Sequence, residues 1–158
     1  MEKLPQSILF CCDHNSVRSP MAEGIAKSLY GTDTYLQSAG VKNDLEIDGF
    51  AVNVCMEWGV EICRHRSRSF DEMVEWGDDL SSFDMIVALS PASLRMAQEL
   101  TRNSHVAVEY WPIMDPTGLG EAREERLVHY RQTRDQIRDR LIDRWGPGAR
   151  EDGGDTVS

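Results

Sequence analysis

The chain is short of positive charge and of cysteine. It carries 17 Lys and Arg against 27 Asp and Glu, which gives a formal net charge of -10 at pH 7. So acidic a surface excludes nucleic acid and anionic membranes as expected partners. The 4 cysteines show neither a CxxC motif nor metal-ligand spacing, and we therefore expect no metal and no other cofactor. Unpaired cysteines are typical of a reducing compartment, which predicts a cytoplasmic protein.

Long hydrophobic runs are also missing. No apolar segment approaches transmembrane length, and the first five residues, MEKLP, lack the pattern of a signal peptide. A length of 158 residues with 41% hydrophobic residues suits one globular domain. The last residues are rich in glycine and polar side chains. We therefore predict a domain over 1–145 and a disordered tail over 146–158. No feature indicates a particular oligomeric state.

Apolar runs of strand length alternate with helical patterns along the chain. The predicted strands are 8–12, 35–41, 83–89 and 106–111, and the predicted helices are 20–30, 50–58, 71–76, 91–102 and 119–145. This alternation predicts an α/β fold in a single domain, with a four-stranded parallel sheet and helices on both faces. Ligands of such sheets bind at the carboxyl ends of strands. The loops after the first and last strands are therefore the candidate site.

The segment after the first strand combines a thiol, a sharp loop and a helix start. Cys12 ends the strand, and Ser19-Pro20 has the pattern of a helix N-cap followed by the first helical residue. Asn15 tolerates the left-handed backbone that such a loop needs. A helix amino terminus and the Arg18 guanidinium both favour the thiolate form of Cys12. The loop amides and Arg18 can cradle a tetrahedral oxyanion.

The spacing between thiol and guanidinium is a weak signal by itself. Cys-x5-Arg is expected by chance at roughly a third of a match per chain of this composition. The strand, turn and helix around it strengthen the functional interpretation. The alternative is a buried cysteine at a strand end with an arginine that caps the sheet.

The segment resembles the signature of the low-molecular-weight protein tyrosine phosphatases and of the related thioredoxin-coupled arsenate reductases. In the signature itself, the residues that match are Cys12, Asn15, Arg18, Ser19 and Pro20, followed by Met21-Ala22-Glu23. Over about 7–145, the further matches are Ser38-Ala39-Gly40, His65-Arg66-Ser67-Arg68, Phe83-Asp84 and Asp115-Pro116. The fold of that family agrees with the predicted sheet.

The resemblance implies a role for each part of the site. Cys12 would be the nucleophile, Arg18 would hold the phosphoryl oxygens, and Asp115 would be the general acid. The substrate-binding loop, called here the nucleophile loop, would consist of Cys12 with Asp13, His14, Asn15, Ser16, Val17, Arg18 and Ser19. The residues that would support this loop are Asn15, Ser19, Ser38 and His65.

Plainer interpretations of three of these motifs stay open. Asp115-Pro116 is a common turn dipeptide, although its place after the last strand favours catalysis. Ser38 is also compatible with an ordinary strand-end turn. The basic run 64–68 is equally typical of a solvated loop, and only His65 within it is predicted to contact the nucleophile loop.

The cysteine pattern departs from the family. Val17 stands where many of these phosphatases carry a second cysteine that protects the first one. Cys11 is predicted to face the opposite side of the strand from Cys12. No cysteine follows Cys63, so the thiols that arsenate reductases use as a shuttle are missing. Cys55 and Cys63 lie eight residues apart, and a redox pair is the alternative to our expectation that both fill the core.

Two departures concern the substrate pocket. Asp13 adds a negative charge beside the nucleophile, and we expect it to point outward or to pair with His14. Thr117-Gly118 stands where the phosphotyrosine enzymes carry aromatic residues. Trp111 and His14 are the candidates for a partial aromatic wall.

Three hypotheses follow from this sequence. The leading one is a cysteine-dependent phosphomonoester hydrolase, with protein tyrosine phosphatase activity as its main form and a phosphocysteine as the intermediate. Its substrate would be a phosphorylated protein or a small phosphomonoester. The alternatives are an arsenate reductase that uses an external thiol, and a non-catalytic module that binds phosphate or another oxyanion.

Overall fold

The computed structural model describes residues 3–31 and 33–148, so the predicted tail lies outside the described residues except for 146–148. Strands and helices alternate along the chain. The elements are β1 (Ser7–Cys12), α1 (Arg18–Tyr30), β2 (Tyr35–Gly40), α2 (Gly49–Met56), α3 (Phe70–Glu75), β3 (Met85–Ala88), α4 (Pro91–Leu100), β4 (Ala107–Tyr110) and α5 (Arg123–Trp145). A short 3-10 helix, Leu80–Ser82, which the sequence did not indicate, precedes β3.

The four strands form one parallel sheet in the order β2-β1-β3-β4. The predicted architecture is therefore confirmed. β1 lies inside the sheet, between β2 and β3, and the chain moves in opposite directions from it along the two halves of the sheet. The carboxyl end of β1 is thus a topological switch point, which is where open α/β sheets bind ligands.

The side chains of β1 alternate between two cores. Ile8, Phe10 and Cys12 pack on the face that α1, α2 and α5 cover. Leu9 and Cys11 pack on the other face, with side chains of α3 and α4. Cys11 and Cys12 therefore point to opposite sides, as predicted. Because side chains alternate between the two faces along a strand, Cys12, the predicted nucleophile, lies on the side of the sheet that α1 covers.

Helix α5 covers much of that side. The predicted stripe of Tyr130, Ile137, Leu141 and Trp145 is buried. The helix begins at Arg123 rather than at 119. Gly118 and Gly120 both have a φ of 80°, a left-handed backbone that turns the chain before the helix begins.

The sequence predicted a Ser-Pro start for both α1 and α4, and the structure has it only in α4. In α4, Ser90 is the N-cap and Pro91 the first helical residue, as predicted. In α1 the prediction was wrong, because the helix begins at Arg18 and its N-cap, Val17, makes no side-chain capping bond. Ser19 is instead the second helical residue. Its hydroxyl contacts Cys12 and Asn15, which is why it does not cap the helix.

Other element boundaries differ from the predicted ones by at most two residues. β3 and β4 each lose residues at both ends, and α2 ends at Met56, before Trp58. Helix α3 begins at Phe70, one residue earlier than predicted, behind a capping box formed by Ser69 and Glu72.

Asp48 connects two helices to the nucleophile loop. Its Oδ1 caps α2 by accepting hydrogen bonds from the backbone N–H groups of Phe50 and Ala51. Its Oδ2 accepts from the Tyr130 hydroxyl at 2.9 Å. Burial raises the pKa of Tyr130, so this hydroxyl keeps its proton. The backbone N–H of Asp48 donates to the Ser16 carbonyl at 3.0 Å.

We expect Asp48→Ala to lower the free energy of unfolding by about 1–3 kcal/mol, because the α2 cap and the partner of a buried hydroxyl are lost together. Asp48→Asn keeps an oxygen for the cap and should cost less than half as much. Urea unfolding of the two variants measures the difference. Equal losses in both would contradict this role.

Candidate active site

Cys12 lies at the carboxyl end of β1, against the first turn of α1. Its side chain is almost fully buried. The sulfur lies 3.0 Å from the Ser19 hydroxyl oxygen and 3.4 Å from the Ser19 backbone nitrogen, which donates to it. Ser19 therefore contacts the sulfur with both its hydroxyl group and its backbone N–H.

Asn15 holds the nucleophile loop through its side-chain amide. Its φ of 54° is the left-handed backbone that the sequence predicted there. Nδ2 donates to Ser19 Oγ at 2.8 Å and to Ser38 Oγ at 3.0 Å. Oδ1 accepts from Arg68 N at 3.0 Å and lies 2.9 Å from His65 Nε2. The backbone donor at Arg68 sets the orientation of the amide, so His65 must donate through Nε2.

These bonds also decide where the Ser19 proton goes. Because the Asn15 amide donates to Ser19 Oγ, the serine hydrogen is directed elsewhere. The candidate acceptors are Cys12 Sγ at 3.0 Å and the Ala39 carbonyl at 3.4 Å. The sulfur is the nearer of the two. The network therefore directs the Ser19 O–H toward the Cys12 sulfur.

The basic segment 64–68 supports the loop from the side of β2. Burial lowers the pKa of His65, which keeps its ring neutral at neutral pH. The Ser67 hydroxyl donates to the Asn15 carbonyl at 2.7 Å. Arg64 and Arg66 are exposed. The segment is thus partly a solvated loop and partly a support, with His65, Ser67 and Arg68 on the inner side.

Arg18 is buried, with 7% of its surface exposed. Nη1 donates to the carbonyls of Leu89, at 3.4 Å, and Ile113, at 3.1 Å. Nη2 lies 3.3 Å from Asp13 Oδ2 and 3.8 Å from Asp115 Oδ2. Main-chain oxygens after β3 and β4 thus anchor the guanidinium, and its second nitrogen faces two carboxylates.

Asp115 lies in the loop after β4, and its side chain is about half exposed. Its Oδ1 accepts from the backbone nitrogen of Thr117 at 3.1 Å and from the Thr117 hydroxyl at 2.7 Å. Oδ2 is left to face Arg18. Thr117, where the family carries an aromatic residue, thus orients this carboxyl group.

The prediction for Asp13 was wrong. Its Oδ2 faces Arg18, and its Oδ1 is buried with no hydrogen-bond partner among residues 3–31 and 33–148. His14 pairs instead with Asp44, with Nδ1 and Oδ1 2.6 Å apart. The physical reason is tertiary: Arg18 is anchored within reach of Asp13, while Asp44 follows β2 and takes the imidazole.

The suggested Trp111 wall was also wrong, because the Trp111 side chain is only 2% exposed. It packs between Phe10 and Trp145. Of the other loop residues, Val17 packs in the core, and the Ser16 carbonyl accepts a hydrogen bond from the backbone N–H of Asp48.

The other three cysteines differ in burial and in hydrogen bonding. Cys11 donates to the Val87 carbonyl, and burial raises the pKa of its thiol. Cys55 is buried as predicted, and burial raises its pKa to about 12. Cys63 is exposed rather than part of the core, and its thiol donates to Glu61. All four are free.

Besides Ser67 and the Arg68 backbone, sequence reasoning missed supports of the loop at Glu23, the Arg68 side chain and Gly40. Glu23 Oε1 accepts from the Ser38 hydroxyl at 2.6 Å. Arg68 Nε donates to the Ser38 carbonyl at 3.0 Å. A Cβ on Gly40 would lie 2.7 Å from Asn15 N and 2.8 Å from His14 C. A glycine at the end of a strand beside a tight loop was the available signal for this close approach.

Residues 3–31 and 33–148 contain no group of three or more His, Cys, Asp or Glu side chains that could hold a metal ion. None of their helices is both long and apolar enough to cross a bilayer.

We expect Gly40→Ala to lower the free energy of unfolding by about 1–3 kcal/mol, because backbone atoms of the nucleophile loop must move away from the new methyl group. Gly49→Ala is the matched control, since a Cβ there meets nothing within 4 Å. It should change stability by less than about 0.5 kcal/mol. Urea unfolding measures both, and equal effects would show that the close approach is unimportant.

Comparison with known proteins gives two kinds of similarity. The model of the family described as low molecular weight phosphotyrosine protein phosphatase matches residues 7–145. The arsenate reductase of Bacillus subtilis strain 168 is 31% identical over 134 residues, which is 85% of this chain and 91% of that relative.

Solved structures share the fold. An arsenate reductase in the phosphate binding state has a TM-score of 0.71 at 24% identity, over 87% of this chain and 95% of that one. A YwlE mutant from Bacillus subtilis has a TM-score of 0.70 at 25% identity, over 86% and 93%. The family match spans β1 to α5 and includes Cys12, Arg18 and Asp115. The chain therefore belongs to the low-molecular-weight phosphotyrosine protein phosphatase family, whose chemistry is based on a cysteine.

Proposed function

We propose that the chain is a cysteine-dependent phosphomonoester hydrolase that works through a phosphocysteine, with tyrosine phosphate in proteins as its foremost substrate. One observation carries the proposal. The helix turn that begins with Arg18 contacts the Cys12 sulfur through Ser19, and the buried Arg18 guanidinium faces the Asp115 carboxyl group. A nucleophile, an oxyanion ligand and a carboxyl group are the parts that thiolate-dependent phosphoryl transfer requires.

In the first half-reaction, the Cys12 thiolate attacks phosphorus in line with the leaving oxygen. The sulfur–phosphorus bond forms as the phosphorus–oxygen bond breaks, and the electron pair goes to the leaving oxygen. Asp115 donates its proton to that oxygen. The Arg18 guanidinium and the loop amides hold the three remaining oxygens while their charge redistributes.

In the second half-reaction, water attacks the phosphorus of the phosphocysteine. The Asp115 carboxylate takes a proton from this water, so the same group acts first as acid and then as base. The sulfur–phosphorus bond breaks and its electron pair returns to sulfur. The Ser19 hydroxyl stabilises the departing thiolate, and inorganic phosphate is released.

The range of proposed substrates follows from Thr117 and Trp111, which present no aromatic ring to a substrate. Thr117 binds Asp115 instead of presenting a ring, and the Trp111 ring is buried. A site without these two rings suits small or varied leaving groups as well as a phenol, so small phosphomonoesters belong to the proposed substrates. Because Cys12 must stay a free thiol, we place the activity in a reducing compartment such as the cytoplasm.

Arsenate reduction is the second candidate, because the relative at 31% identity bears the name arsenate reductase. The chain's own thiols do not favour it. Cys11 faces the other side of the sheet and Cys55 is buried. Reduction would therefore need an external thiol such as glutathione, which would form a mixed disulfide with Cys12 as arsenate takes up two electrons and becomes arsenite.

We expect Cys12→Ser to lower the rate of aryl phosphate hydrolysis by at least about a thousandfold, because a hydroxyl replaces the ionised nucleophile. Cys63→Ser, at an exposed thiol, should retain wild-type turnover.

Asp115→Asn should lower kcat by about a hundredfold or more, and most for poor leaving groups. Steady-state assays with a series of phenyl phosphates measure all three effects.

Two results would contradict the proposed hydrolase. One is wild-type turnover in Cys12→Ser. The other is arsenite production that depends on glutathione in a protein that hydrolyses no phosphomonoester, which would support the second candidate instead.

A further inference from the structure

Asp13 carries a charged side chain in the nucleophile loop, and the proposed mechanism gives it no role. Its Oδ2 lies 3.3 Å from Arg18 Nη2, closer than the Oδ2 of Asp115 at 3.8 Å. Its Oδ1 is buried and has no hydrogen-bond partner in the described part of the chain. The carboxylate therefore sits on the guanidinium nitrogen that a bound oxyanion would use, with one of its own oxygens unsatisfied.

The charges near this nitrogen do not balance. Asp13 and Asp115 face one guanidinium, and the other nitrogen of its fork, Nη1, is taken by main-chain carbonyls. The imidazole of His14, the residue that follows Asp13, pairs with Asp44. An anion that binds Arg18 must therefore displace one carboxylate or lie beside it. Coulomb repulsion grows in proportion to the charge of the ligand.

We propose that Asp13 determines the charge specificity of the site, so that it takes singly charged oxyanions in preference to doubly charged ones. Asp13 competes with the ligand for Arg18. It also repels any anion that binds beside it. The substrate class that follows is the phosphoryl monoanion. This inference rests on the proposed function only in placing the oxyanion at Arg18.

A matched pair of tetrahedral anions tests the inference without turnover. Sulfate is doubly charged and methanesulfonate singly charged at neutral pH. Their dissociation constants are measured by NMR chemical-shift titration of wild type, Asp13→Asn and Asp33→Asn. Asp33 is an exposed carboxylate that precedes β2, so it lies at the amino ends of the strands, opposite the site. Asp33→Asn changes the net charge as Asp13→Asn does, and it therefore controls for long-range electrostatic effects.

In Asp13→Asn we expect sulfate to bind at least about tenfold more tightly and methanesulfonate about threefold more tightly. In Asp33→Asn both constants should stay within about twofold of wild type. Equal tightening of the two anions in Asp13→Asn, or no tightening of sulfate, would overturn the inference. Should the asparagine variant fail to fold, Asp13→Ser is read by the same criteria.

The two proposals fail separately in this experiment. A protein that hydrolyses no phosphomonoester but shows the expected change in anion preference overturns the proposed function alone. A protein that hydrolyses phosphomonoesters through Cys12 but shows no difference between the anions overturns the role of Asp13 alone.

Discussion

The site depends on one buried amide, that of Asn15. Its four hydrogen bonds, to Ser19, Ser38, His65 and Arg68, use its full capacity. Each such bond contributes about 1 kcal/mol net, which is enough to offset the cost of about 1–2 kcal/mol for a left-handed backbone. The amide connects the loop to β2 and to the segment after α2. It also directs the Ser19 hydroxyl toward the Cys12 sulfur, so loop shape and nucleophile activation share one cause.

The second constraint is electrostatic. A chain with a net charge of -10 repels anions at long range, so any anion recognition must rest on local donors. Arg18 is such a donor, and the loops after β3 and β4 fix its position through two carbonyls. Asp13 then reduces the positive charge that Nη2 of Arg18 can offer to a bound anion. Tight anion binding by Arg18 and discrimination between anions by Asp13 are thus opposed at one guanidinium. An uncharged residue at position 13 would remove this opposition.

Much of the fold followed from local patterns, because buried parallel strands are continuous apolar runs and Ser90-Pro91 is a complete helix start. The chemistry at Cys12 and Arg18 followed from the strand, loop and helix in one segment. The direction of Asp13 could not be predicted, since it depends on carbonyls that lie 71 and 95 residues beyond Arg18 in sequence. The role of Gly40 could not be predicted for a similar reason. Its close contact is with Asn15 and His14, which are distant in sequence, in the loop between β1 and α1.

The central claim is that the Cys12 sulfur bonds covalently to phosphorus. The most direct measurement is acid quenching of the wild-type protein during turnover of an aryl phosphate, followed by mass spectrometry of its peptides. The account predicts one added phosphoryl group, on the peptide that contains Cys12. Continued turnover with the phosphoryl group on another residue, or on none, would contradict it.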